Sequence, residues 1–131
     1  MKVLALDFGA ARTGVAVSDA TGTIARPLGV VERAATPDGL SRLAEIVREE
    51  EAERIVVGLP LTLRGERGEQ AEATEDFVLA LRETLDVPVE TYDERFTTSL
   101  ASRDSGNAPE DARAAAHLLE SYLGRMSSDR G

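Results

Sequence analysis

The stretch KVLALDFGAARTGVAVS, residues 2–18, decides the fold. Val3 to Phe8 is a short apolar run that reads as a buried strand. Gly14 to Ser18 reads as a second strand, joined to the first by a turn around Gly9–Thr13. Gly22 marks another turn, and Ile24 to Val31 reads as a third strand, in which Pro27 and Gly29 point to a sheet edge or a bulge. Strands this close in sequence pair most simply as an antiparallel meander.

Past Val31 the hydrophobic period changes. Leu40, Leu43, Ala44 and Val47 recur at helical spacing, with Thr36 as a cap and Pro37 at the first helical position. Arg54 to Gly58 is a β-branched run that reads as a fourth strand. From Glu69 to Leu85, the residues Thr74, Phe77, Val78, Leu81 and Leu85 form the apolar stripe of a second helix. Val87 to Tyr92 reads as a fifth strand. Ala112 to Leu123 reads as a last helix, with Ala115, Leu118, Leu119 and Tyr122 on one face. Helical crossovers make the later strands parallel. The expected architecture is α/β: a mixed five-stranded sheet, a three-strand antiparallel meander plus two parallel strands, flanked by helices. It occupies a single domain over residues 1–124, with 125–131 a polar, frayed tail.

The chain has 131 residues, of which 42% are hydrophobic, enough for a core without staples. Cysteine is absent, which excludes disulfides, thiolate nucleophiles and thiolate zinc sites. His117 is the single histidine, so multi-histidine sites are excluded too. No apolar run reaches membrane-span length, and the N-terminus meets Asp7 too early for a secretory signal. A cytoplasmic location without membrane contact is expected. The net charge is −9, unfavourable for a nucleic-acid binder unless the binding charges are local. Lys2 is the only lysine, and the remaining basic side chains are arginines, suited to bidentate phosphate contacts. Compositional bias accounts for most of them.

Certain residues break the pattern. Asp7 ends an apolar strand, where a carboxylate is costly unless paired or bound to a cation. The following Gly9-x-x-Arg12-x-Gly14 lets backbone approach a ligand closely. A turn-forming Asp bonded to nearby amides is the plainer alternative. Gly58-Leu59-Pro60 leads into a loop carrying Arg64, Gly65, Arg67 and Gly68, which is either a phosphate clamp or an ordinary connection. Asp93-Glu94-Arg95 closes the fifth strand and runs into Thr97 and Thr98. Strands one, four and five would present Asp7, Gly58–Pro60 and Asp93/Glu94 at a common carboxyl end, where ligands gather in α/β sheets. The competing role is local: Asp93 or Thr97 caps a short helix, and Glu94 and Arg95 are solvated. Asp111 lies one turn before Ala115, on the buried face of the last helix, or is simply a first-turn acid after Pro109. Three acids from separate elements at one sheet end suit Mg²⁺ or Mn²⁺, which take oxygen ligands. Such ions hydrolyse phosphodiesters without Cys or His.

The stretches Asp7-Phe-Gly-x-x-Arg12-x-Gly14-Val-Ala, Val57-Gly58-Leu-Pro60-Leu, Asp93-Glu94-Arg95-Phe-Thr97-Thr98 and Asp111-x-x-Ala114-Ala115-x-x-Leu118-Leu-x-x-Tyr122-Leu resemble, in order and spacing, those of the YqgF/RuvX family. The resemblance runs from Lys2 to Leu123. It implies a ribonuclease H-like fold and a metal-dependent endonuclease, acting in 5′-end maturation of pre-16S ribosomal RNA or in resolving Holliday junctions. It implies Asp7, Glu94 and Asp111 as the catalytic, metal-binding acids. Arg12, Arg64, Arg67, Arg95, Thr97 and Thr98 are the expected substrate contacts. The chain departs from the family in its short segment Ser99–Glu110, usually longer and often basic, and in His117, which replaces an apolar residue and reads as packing or surface.

Two other functions fit parts of the pattern. Asp7–Gly14 is also similar to the first phosphate loop of actin-like and sugar-kinase-like ATP-binding domains, although those enclose nucleotide between two domains. A non-catalytic nucleic-acid or ribosome-associated module would keep the acids without turnover. Nucleic acid is the expected partner in both the nuclease and the module readings, and symmetric junction resolution would call for a homodimer.

Overall fold

The computed structural model describes residues 1–97 and 109–130. Strands β1 (Val3–Asp7), β2 (Arg12–Ser18) and β3 (Ala25–Glu32) are followed by helix α1 (Pro37–Glu50), strand β4 (Arg54–Leu59) and helix α2 (Glu69–Thr84). Strand β5 (Val89–Asp93), a short 3₁₀ turn (Glu94–Phe96) and helix α3 (Glu110–Arg130) complete the order. The sheet has five strands in the order β3-β2-β1-β4-β5. β1–β2 and β2–β3 are antiparallel, whereas β1–β4 and β4–β5 are parallel. The meander-plus-parallel layout follows from the short turns before α1 and the helical crossovers after it.

Alternation along the strands divides the molecule into two cores. Leu4, Leu6, Val15, Val17, Ile55 and Val57 face α1 and α2, where Leu43, Ile46, Phe77, Val78 and Leu81 cover them. The opposite face carries Val3, Ala5, Ala16 and Val56 against Ala115, Leu118, Leu119 and Tyr122 of α3. Residues on the α3 side are smaller, so the helix lies close to the sheet. The closest approach is at Gly14: a Cβ there would sit 1.8 Å from the Asp111 carbonyl oxygen. The sheet face thus dictates where the first turn of α3 rests.

Edges and ends explain the differences from expectation. β3 is an edge strand, and its register shifts between Val15 and Ala16, which pair with Gly29 and Pro27. Both readings of Pro27 and Gly29, edge and bulge, hold together: the bulge leaves Leu28 as the extra residue. β2 reaches back to Arg12, two residues before the expected start, because Arg12 pairs with Glu32 of β3. β5 begins only at Val89, since Pro88 has no N–H for the ladder, although its carbonyl accepts from Ile55 N at 2.9 Å. The cap at α1 matches the sequence pattern, with Thr36 Oγ1 accepting from Gly39 N at 3.2 Å. Helix α3 continues past Gly124 to Arg130, where the sequence points to a frayed tail. Tertiary contacts sustain the extra turns: the Arg125 guanidinium lies 4.0 Å from the Phe96 ring centre, and Met126 packs on the α3 core.

Candidate active site

Because β1, β4 and β5 are parallel neighbours, their carboxyl ends coincide. Asp7 closes β1 on the face that α3 covers, since it pairs with Gly14 two positions beyond the Ala5–Ala16 pair. Glu94 follows β5, and Asp111 lies in the first turn of α3. Gly58, near the end of β4, leaves the floor between them open. A Cβ there would lie 2.9 Å from Glu94 Cγ, so the Glu94 side chain crosses the strand where a larger residue would stand.

The Asp7 and Glu94 carboxyls lie close enough that each shifts the ionisation of the other. Burial, then the Asp7 and Asp93 charges, push the Glu94 carboxyl from the ordinary value near 4.5 up to about 7. Asp7 is also raised, chiefly by burial and further by Asp111, with the bond from Glu94 opposing. A cation between these carboxyls would relieve the repulsion. Asp111 is turned toward Arg12, whose Nε lies 3.2 Å from Oδ2. Among the described residues no three acidic or histidine side chains already close into a metal cage. The arrangement is two neighbouring acids, with the third held by an arginine.

The other expected contacts divide. Arg12 and Arg64 are exposed at this end of the sheet, and Arg64 has no ion pair among the described residues. Arg95 folds back on Asp93, with Nη2 to Oδ2 at 2.6 Å and Nε to Oδ2 at 2.9 Å, and donates from Nη1 to the Leu63 carbonyl at 3.3 Å. Arg67 pairs with Glu75. Asp93 caps the 3₁₀ turn by accepting from Arg95 N at 2.9 Å, the local role anticipated for it, and the pairing holds its carboxyl below the usual range. The Thr97 hydroxyl is buried, with no partner among the described residues. Thr98 and most of Ser99–Glu110 lie outside the described residues. His117 is a packing residue, mostly buried, with Nδ1 3.3 Å from Glu120.

In the sequence Gly14 reads as part of a glycine stretch that lets backbone approach a ligand, and Gly58 as a strand end leading into a loop. In the fold they are the two places where backbone clears room for Asp111 and Glu94. The one available signal is a glycine inside or ending an otherwise β-branched strand, which marks close approach of another group.

A family model described as RuvX, Holliday junction resolvase, matches residues 1–125. A Chloroflexus aurantiacus protein named "Putative pre-16S rRNA nuclease" is 40% identical, covering 97% of this chain and 89% of its own length. A Desulforudis audaxviator protein of the same name is 40% identical over 99% of both chains. Among solved structures, Thermus thermophilus RuvC in complex with Holliday junction substrate superposes with a TM-score of 0.60 at 18% identity, covering 98% of this chain and 97% of that one. The shared fold is the ribonuclease H-like one, as the motif order implied.

Proposed function

The chain belongs to the RuvX family, and from that premise we propose that it is a divalent-metal-dependent endonuclease cutting phosphodiester bonds of structured nucleic acid. The observation that carries this reading is the convergence of Asp7, Glu94 and the first turn of α3, with Asp111, at the carboxyl end of the parallel strands. Carboxylates brought this close repel unless a proton or cation lies between them. Their all-oxygen donor set suits Mg²⁺ or Mn²⁺. The glycines at 14 and 58 keep the floor clear for the acids. The residues present therefore fit the metal, and Asp7, Glu94 and Asp111 would hold it.

A bound metal would supply an activated water and charge stabilisation for the leaving oxygen. The chain's own residues do the rest. The β1 ladder fixes the backbone of Asp7 and the 3₁₀ turn that of Glu94, so both carboxylates start from the same end of the sheet. Arg12, exposed beside Asp111, and the exposed Arg64 on the 60–68 loop would take phosphates flanking the scissile bond. Arg95 and Asp93 brace that loop against the turn that carries Glu94.

Pre-16S ribosomal RNA is the substrate we favour, because relatives of that name match nearly the whole chain. The family model's description supports a second reading, four-way DNA junctions, which carries with it a homodimer supplying two active sites. A cytoplasmic location accords with either. Among the described residues no helix is long and apolar enough to cross a membrane. The test is cleavage of a 5′-extended 16S leader RNA and of a four-way DNA junction, with Mg²⁺ or Mn²⁺ and with chelator. Metal-dependent cutting of one of them supports the reading. Binding without cutting by the wild-type protein would favour a non-catalytic module instead.

A further inference from the structure

Leu63 is the most exposed of the large apolar side chains described, at 93% of its full accessible area. It sits at the tip of a small hairpin that follows β4. A Leu61–Arg67 bridge closes the hairpin, Thr62 N donates to Glu66 O at 3.0 Å, and Gly65 N donates to Thr62 O at 2.8 Å. The Thr62 hydroxyl accepts from Glu66 N at 3.0 Å, and Gly65 takes the positive φ of 84° that the turn requires. The tip is therefore a built turn. Arg95 Nη1 donates to the Leu63 carbonyl, and the Gly65 Cα lies beneath the same guanidinium, where a Cβ would stand 3.2 Å from Nη1. Arg95 is itself clamped by Asp93, next in sequence to Glu94. The apolar tip is thus braced against the turn that carries an acid of the active site.

Single exposed apolar residues are ordinary and need no function. Ile24 and Leu79 are of that kind, the first in the turn at the far end of the sheet and the second on the outer face of α2. Leu63 differs in standing on a hydrogen-bonded turn at the catalytic end, with the exposed Arg64 beside it. An apolar side chain in that setting has a use if the surface it meets is a base stack. Proteins that open helices insert such wedges between base steps, while adjacent arginines hold the backbone.

Resting on the nuclease reading above, we propose that Leu63 is a wedge that enters a base step where paired and unpaired nucleic acid meet, and that Arg64 anchors the adjacent phosphate. The wedge positions the substrate; it takes no part in the chemistry. Affinity should come mainly from phosphate contacts, so loss of the wedge should leave binding largely intact while removing the unstacking.

The experiment places 2-aminopurine at the paired–unpaired boundary of a 5′-extended RNA stem and at the branch of a four-way DNA junction, with Ca²⁺ in place of Mg²⁺ to suppress cutting. Whichever substrate the wild-type protein cuts in Mg²⁺ should show a rise in fluorescence of roughly twofold or more on binding, as the base unstacks. Leu63→Ala should bind within about threefold of wild type, dominated by phosphate contacts, with no rise and slower cleavage. Leu63→Phe should restore the rise. A rise in Leu63→Ala equal to wild type, or no rise in a wild-type protein that binds and cuts, overturns the wedge while leaving the nuclease reading standing. A wild-type protein that binds neither substrate overturns both.

Discussion

Replacing Glu94 by Gln should stabilise the metal-free protein at pH 8. Gln keeps the shape of the protonated acid and can still donate to Asp7, so it mimics the form the folded site prefers. The Glu94 carboxyl stands at about 7 in the fold against an ordinary value near 4.5. At about 1.36 kcal/mol per unit, that difference corresponds to roughly 3 kcal/mol held against folding once the group ionises. The side chain is only partly buried, so solvent screening brings the expected effect to about 1–2 kcal/mol. The sign follows from linkage. A carboxyl raised in the folded state contributes stability that is complete below its unfolded value, near 4.5, and is lost as pH rises through about 7. Urea denaturation in chelator should therefore show Glu94→Gln more stable than wild type at pH 8 and equal to it near pH 4. Mn²⁺ should reverse the order at pH 8, because wild type gains the binding energy of the ion. A Glu94→Gln protein less stable than wild type at pH 8 without metal, or a gap that does not change with pH, would refute the reasoning.

Gly14→Ala drives a methyl into the Asp111 backbone and should destabilise by about 3 kcal/mol, whereas Gly58→Ala meets only the movable Glu94 side chain and should destabilise by about 1 kcal/mol, both read by urea denaturation. Equal losses would show that α3 can lift off the sheet freely. Arg12→Ala and Arg64→Ala should each flatten the salt dependence of nucleic-acid binding by about 0.7–0.9 log units per log unit of salt, while Arg42→Ala and Arg48→Ala on α1 leave it unchanged. If the α1 pair matters as much as the other, the binding face lies on α1.

Much of this site is legible in the amino-acid sequence because its anomalies are local. Asp7 stands out as a carboxylate ending an apolar strand, and Glu94 ends another run, so the parallel pairing of β1, β4 and β5 suffices to bring them together. The meander is legible from the short turns, and the bulge from Pro27 and Gly29. What is not legible depends on contacts between distant segments. The ion pairs of Arg95 with Asp93 and of Arg67 with Glu75 are not visible in the sequence. Gly58 looks like a loop entry until the Glu94 side chain is seen to cross it. The end of α3 is misjudged from sequence because Gly124 is a helix breaker only where nothing beyond it packs, and Arg125 and Met126 do pack. Asp111 reads equally well as a first-turn acid, and only its ion pair with Arg12 and its charge on Asp7 bring it into the site.

The most direct test is single-turnover cleavage of the 5′-extended 16S leader RNA by wild type and Asp7→Asn, each shown folded by circular dichroism, in Mn²⁺ and in chelator. Wild type should cut only with metal. Asp7→Asn should be slower by roughly 10³-fold or more, about 4 kcal/mol of lost transition-state stabilisation at 1.36 kcal/mol per decade. Cutting by Asp7→Asn at the wild-type rate, or wild-type cutting that persists in chelator, would contradict a metal site built on Asp7, Glu94 and Asp111.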